Sequence, residues 1–254
     1  VDTNFLHDNS NIFSSFSNDN LAKAVFQSFQ NDYKKGNTVF SLKIIANEGL
    51  SEKTRADFTE FNSNYSINKE TAGLYSSDGV GMLYLACAEG FLNVVRLIIE
   101  SDADVNKTRN DGVTSLYLAC QWGYLDIVKC LIENGAEVNK ADKNEVTPFY
   151  GACQNGHLEI VKYLIDNGAD VDKDIYDKTT PLYIACKNGH LHIVKCLTEN
   201  GAEVNKADII EVTPLFIACQ NGHLDVVKCL IKNGAEVNKS DKNNITPLHM
   251  ACSN

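Results

Sequence analysis

Short helix pairs stacked in a row and joined by hairpin loops, an all-α solenoid, are the architecture expected of this chain. Cys87, Cys120, Cys153, Cys186, Cys219 and Cys252 follow one another at steps of 33 residues. Thr147-Pro148, Thr180-Pro181, Thr213-Pro214 and Thr246-Pro247 keep the same step, as do Gly90, Gly123, Gly156, Gly189 and Gly222. A fixed period of this length is the mark of a repeat array.

One copy, residues 180–206, shows what each repeat builds. Thr180 is a helix cap, and Pro181 suits the first helical position, where its missing N–H costs nothing. Leu182, Ala185 and Cys186 give this first helix an apolar stripe, and Gly189 ends it with a left-handed turn. Leu191, Ile193, Val194 and Leu197 form the buried face of a second helix, which Asn200-Gly201 closes. Isolated helices below about 12 residues are marginal in water, so a single copy is not expected to fold alone. Stacked copies can bury one another's stripes.

These residues resemble the ankyrin repeats. TPLYIAC, TPLFIAC and TPLHMAC occupy the place of that family's signature, with GHLEIVKYLI, GHLHIVKCLT and GHLDVVKCLI following. Five full repeats begin near Ser76, Arg109, Asp142, Ile175 and Asp208, and a sixth starts at Asp241. The resemblance covers residues 76–254 and implies an ankyrin-repeat solenoid.

The preceding residues lack the period. Residues 1–37 read as an arm followed by one amphipathic helix, with Leu21, Ala24, Val25, Phe29 and Tyr33 along one stripe. Residues 38–75 are expected to be a degenerate capping repeat or an unrelated helical cap, with Gly49 matched to Gly90 and Leu42 to Leu83. Either would cover the apolar side of the repeat beginning at Ser76. At the other end, the sixth repeat has no second helix before Asn254, so a continuation of the array or a further domain is expected.

The formal net charge is −10. Residues 1–76 carry seven basic and nine acidic side chains, so most of the negative charge lies on the repeats. Phosphate binding needs clustered cations, which disfavours DNA, RNA and anionic membranes and favours partners with a basic surface. The nine cysteines invite a disulfide or metal reading. Neighbouring helices pack ~8–10 Å apart, so the periodic thiols form a row too widely stepped for disulfides. They are expected to be small buried hydrophobes, reduced in a cytoplasmic or nuclear setting.

No phosphate-cradling loop, zinc-protease or nucleophile-elbow motif occurs. No catalytic residue, metal or cofactor is expected, and a catalytic unit within residues 1–75 is the least favoured reading. His157, His190 and His223 alternate with Phe91 and Tyr124, which reads as a preference for a flat ring with no need of an imidazole. His249, where the other repeats carry Tyr or Phe, reads as a packing aromatic.

The resemblance implies recognition of a protein through a concave face made by hairpin tips and the solvent side of the first helices. Independently, the tips vary among copies far more than the helices do, which marks a free surface. The candidate contact residues are Asn110, Asp111 and Trp122 in the second repeat, Lys143, Asn144 and Gln154 in the third, Tyr176, Asp177 and Lys187 in the fourth, and Ile209, Ile210 and Gln220 in the fifth. Trp122, the one tryptophan, stands where its siblings carry Glu or Asn, so packing does not ask for it. It is the leading hot-spot candidate, against a role in shielding the neighbouring repeat. Ile209 and Ile210, beside Ile175 and Tyr176 one tip earlier, come next, against contact between adjacent hairpins. An alternative function is the substrate-recognition arm of a larger protein, such as a ubiquitin-ligase adaptor, an effector delivered into a host cell, or the cytosolic region of a channel.

Three local departures from the pattern are expected to matter. The hairpin glycine of Gly79 and Gly112 becomes Glu145, Lys178, Glu211 and Asn244, placing side chains at positive φ. Gly151 sits mid-helix and should weaken it. Asp172 replaces the asparagine recurring as Asn106, Asn139, Asn205 and Asn238, which points to a changed turn bond.

Overall fold

A computed structural model describes residues 82–88, 90, 92–100 and 103–253. The expected arm, amphipathic helix and cap of residues 1–75 lie outside the described residues. The chain divides into two compact units at Val105 and Asn106. In the first, α1 (Met82–Ala88) packs against α2 (Leu92–Glu100). Leu83, Ala86, Cys87, Val95 and Ile98 are buried, and Gly90 makes the turn at φ 79°.

The second unit carries the pairs α3 (Ser115–Trp122) and α4 (Leu125–Glu133), α5 (Pro148–Asn155) and α6 (Leu158–Asp166), α7 (Pro181–Lys187) and α8 (Leu191–Glu199), and α9 (Pro214–Gln220) and α10 (Leu224–Lys232). A last first-type helix, α11, spans Pro247–Ser253. Within this unit first helices stack on first helices and second on second, so each of its repeats touches its neighbours. Among the described residues there is no strand, only one antiparallel bridge between Thr108 and Thr114. No helix among them is long and apolar enough to cross a membrane.

The expected caps form. The hydroxyls of Thr114, Thr147, Thr180 and Thr213 accept from the N–H groups of Tyr117, Tyr150, Tyr183 and Phe216 at 3.0–3.2 Å. Each such cap stabilises its helix by about 1 kcal/mol. Asn134, Asn167, Asn200 and Asn233 close the second helices by donating from Nδ2 to the carbonyl four residues back, at 2.7–2.8 Å.

The first helices are more deeply sunk than one apolar stripe requires: Pro181 to Cys186 are all buried. The second helices bury one face, as in Ile193, Val194, Cys196 and Leu197, while Leu191 is half-buried and Leu224 exposed. Gly151 has a packing reason, since a Cβ there would stand 3.2 Å from the Tyr117 ring. None of the nine cysteines is in a disulfide, and the seven from Cys87 to Cys219 are buried. Burial pushes the Cys153 and Cys186 thiols well above their ordinary range, which makes them poor nucleophiles. Cys229 is half-buried and Cys252 exposed.

Two ties between repeats lie beyond local sequence. His157, His190 and His223 precede the second helices and direct Nε2 at the carbonyls of Gln121, Gln154 and Lys187, 3.0 Å away in each case. A carbonyl only accepts, so Nε2 carries the proton. This corrects the flat-ring reading, because the imidazole is a polar tether to the preceding repeat. Gly123, at φ 82°, serves the same contact: a Cβ there would lie 2.6 Å from the His157 ring. His249 is exposed, and its Nδ1 accepts from the Thr246 N–H at 3.1 Å.

The second tie uses the recurring asparagine. Asn139 accepts from the Asp170 N–H and donates to the Gly168 carbonyl, both at 2.9 Å, and Asn106 and Asn205 make the same pair of bonds. The expected turn bond is therefore a bridge to the next repeat. Asp172 accepts from the Glu203 N–H at 3.0 and 3.2 Å through its two oxygens.

Candidate interaction surface

The hairpin tips are built from a short carboxylate clasp. The Asp142, Asp208 and Asp241 carboxylates each accept from backbone N–H groups two and four residues on, at 2.8–2.9 Å. Each turn is completed by a residue at φ 60–66°, namely Glu145, Glu211 and Asn244, with Lys178 doing the same in the fourth repeat. The expectation of side chains at positive φ holds. The clasp fixes the backbone there strongly enough to bear a conformation that costs a non-glycine residue of order 1 kcal/mol.

Where the clasp residue is missing, another takes over. Arg109 and Ile175 occupy its position in the second and fourth repeats. There Asp111 accepts from the Val113 N–H at 3.2 Å, and Asp177 accepts from the Thr179 N–H at 3.0 Å and its hydroxyl at 2.7 Å. Arg109 also pairs with the Asp111 carboxylate, holding that carboxyl below its usual range. Two candidate contact residues, Asp111 and Asp177, thus hold their own hairpins.

Successive tips are joined backbone to backbone. Lys143 N–H donates to Asp111 O at 2.9 Å, Tyr176 to Asn144 at 3.2 Å, Ile209 to Asp177 at 2.9 Å, and Lys242 to Ile210 at 3.3 Å. This ladder brings Asp111, Lys143, Asn144, Tyr176, Asp177, Ile209 and Ile210 into one continuous row. Among them Lys143, Asn144, Tyr176, Asp177, Ile209 and Ile210 are exposed, as is Asn110. The adjacent-hairpin contact weighed for the isoleucines exists in the backbone, yet both side chains remain 53% exposed. Tyr176 is 84% exposed.

Trp122, Lys187 and Gln220 lie at the ends of α3, α7 and α9 and are exposed, while Gln154, near the end of α5, is half-buried. Trp122 is 57% exposed. The Gln154 carbonyl receives both His190 and the Asn188 amide, the latter at 2.7 Å, so its backbone belongs to the scaffold. Behind the tips, the Tyr150 hydroxyl is bonded to Thr179 Oγ1 at 3.2 Å. Burial, aided by the Asp208 carboxylate, keeps the Tyr183 phenol protonated far above its usual range. Among the described residues no group of three His, Cys, Asp or Glu side chains is arranged to hold a metal ion.

Capped helix pairs, tethered laterally and linked tip to tip, define a solenoid repeat protein whose hairpin edge is a preformed surface. Matched against family models, the chain carries three copies of the ankyrin-repeat model, over residues 57–142, 137–208 and 206–254. The chain belongs to the ankyrin repeat family, whose members are in general protein–protein interaction modules. The comparison with curated proteins returned no match.

Proposed function

We propose that this chain is a non-enzymatic recognition module that binds a protein partner through the concave face of its repeats, made by the hairpin tips and the outer ends of the first helices. The observation carrying this reading is that Tyr176, Ile209 and Ile210 on the tips, and Trp122 at the end of α3, are exposed large apolar side chains. The scaffold does not need them, because sibling repeats carry polar residues at the same positions. Rigid apolar groups of this kind dominate binding energy in protein interfaces. Nine cysteines without a disulfide, most of them buried, favour a reducing compartment, the cytoplasm or nucleus.

The test is capture from cell extract with the chain and its Trp122→Ala variant. Loss of a captured protein with unchanged helical circular dichroism supports the reading. Undiminished capture by the variant moves the interface away from α3.

A further inference from the structure

We propose that the tips of the fourth and fifth repeats form an acidic, apolar docking patch for a basic amphipathic segment of a partner protein, one presenting apolar side chains among Lys or Arg. This deepens the interaction-module reading and rests on it. The patch is Tyr176, Asp177, Asp208, Ile209, Ile210 and Glu211. Its backbone is preset, with Ile209 N–H on Asp177 O at 2.9 Å and the Asp208 carboxylate clasping the Ile210 and Val212 N–H groups at 2.9 Å each. Little ordering remains for binding to impose, which favours affinity.

The apolar content is specific to this place. At the two positions of Ile209 and Ile210 the other tips carry Asn110 and Asp111, Lys143 and Asn144, and Lys242 and Asn243; the fourth alone adds an aromatic, Tyr176. Charge chooses the partner. Within residues 175–178 and 208–211 three carboxylates stand against one cation, Lys178. Asp174, just before them, is already paired with Lys206 at 3.3 Å. Glu211 is exposed beside the isoleucines, and Lys143 and Lys242 on the flanking tips bound the acidic zone. A cationic segment would be steered by this field, which agrees in sign with the charge of −10 on the whole chain. An arginine or lysine could also stack on the open Tyr176 ring.

A fold-safe variant is supplied by the protein itself. Ile209→Lys with Ile210→Asn turns Asp208-Ile209-Ile210-Glu211 into a copy of residues 142–145, a tip the scaffold already holds. Glu211→Lys reproduces Lys178, which sits at the same positive φ. The experiment pans a phage-displayed library of random twelve-residue peptides against the chain, then titrates one selected peptide by fluorescence anisotropy. Selected peptides should combine Lys or Arg with apolar residues and weaken several-fold as salt rises. Their affinity should fall at least tenfold in the Ile209→Lys, Ile210→Asn variant and severalfold in Glu211→Lys. A charge-reversed peptide should regain affinity for Glu211→Lys. Selection of acidic or uncharged peptides, binding unaffected by the double variant, or self-association of the chain through this patch would overturn the proposal. If Trp122→Ala abolishes capture from extract while the library yields no basic peptide, this inference falls and the interaction-module reading stands. If neither experiment finds a ligand, both fall.

Discussion

Two adjoining junctions of the second unit differ in the chemistry of one side chain. Between the second and third repeats, the Asn139 amide both accepts from and donates to the next loop. Between the third and fourth, Asp172 can only accept, so the Gly201 carbonyl receives no side-chain hydrogen of the kind Gly168 receives. Burial raises the Asp172 carboxyl above its ordinary range, with the Glu203 N–H opposing that shift. Lys206 reaches the Asp172 carbonyl at 2.9 Å, as Lys239 reaches that of Asn205 at 3.1 Å, whereas Lys173 at the Asn139 junction pairs with Glu145. Lys206 also pairs with Asp174, and a partly exposed pair is worth at most about 1 kcal/mol. Because repeat proteins draw stability from nearest-neighbour terms, one altered bridge can set where the row opens first.

The comparison breaks hardest at its shared part, the glycine–histidine contact. Gly123→Val should cost 3 kcal/mol or more, since it combines positive φ with a Cβ inside the His157 ring contact. Gly168→Ala, equally left-handed with nothing within 4 Å, should cost only about 1 kcal/mol. Urea denaturation of the two variants checks the gap, and equal losses would deny the contact its importance.

Next in size, Asn139→Asp should convert the sound bridge into the weaker kind, destabilising by about 1 kcal/mol near neutral pH. The reverse change, Asp172→Asn, should stabilise by a similar or smaller amount, read as a shift in urea midpoint at constant m-value. Its benefit should depend on pH. A carboxyl whose folded pKa is raised binds its proton more readily in the native state, so the wild-type junction gains stability as pH falls through that raised value toward the unfolded one. The advantage of Asp172→Asn over wild type should therefore shrink on acidification from neutral toward pH 4, and a constant advantage would refute the bridge assignment. The smallest effect belongs to Lys206→Gln, about 0.5 kcal/mol and weakening with added salt.

The repeats of the second unit were largely readable as sequence because their determinants are local. Thr180 capping, Pro181 starting and Asn200-Gly201 closing a helix all act within a few residues, and the regular step multiplied each signal. The ties between repeats were less legible for a physical reason. Asn139 meets residues 29 and 31 positions away, and His157 meets a carbonyl 36 positions back. The substitution of histidine by Phe91 and Tyr124 disguised a hydrogen-bond donor as a ring. A signal was nonetheless present, in that a glycine lies 34 positions ahead of each of the three histidines. At the tips, variability located the exposed row but did not distinguish Asp111 and Asp177, which replace a missing clasp, from Ile209 and Ile210, which clasp nothing.

The file of thiols gives the chain a built-in gauge of how it comes apart. Cys120, Cys153 and Cys186 are sealed in successive repeats, Cys229 is half open and Cys252 stands in solvent. An alkylating reagent added to the native protein would therefore mark cysteines in the order in which their surroundings loosen. Peptide mapping of the modified protein would turn that order into a record of unzipping, repeat by repeat, without any engineered probe.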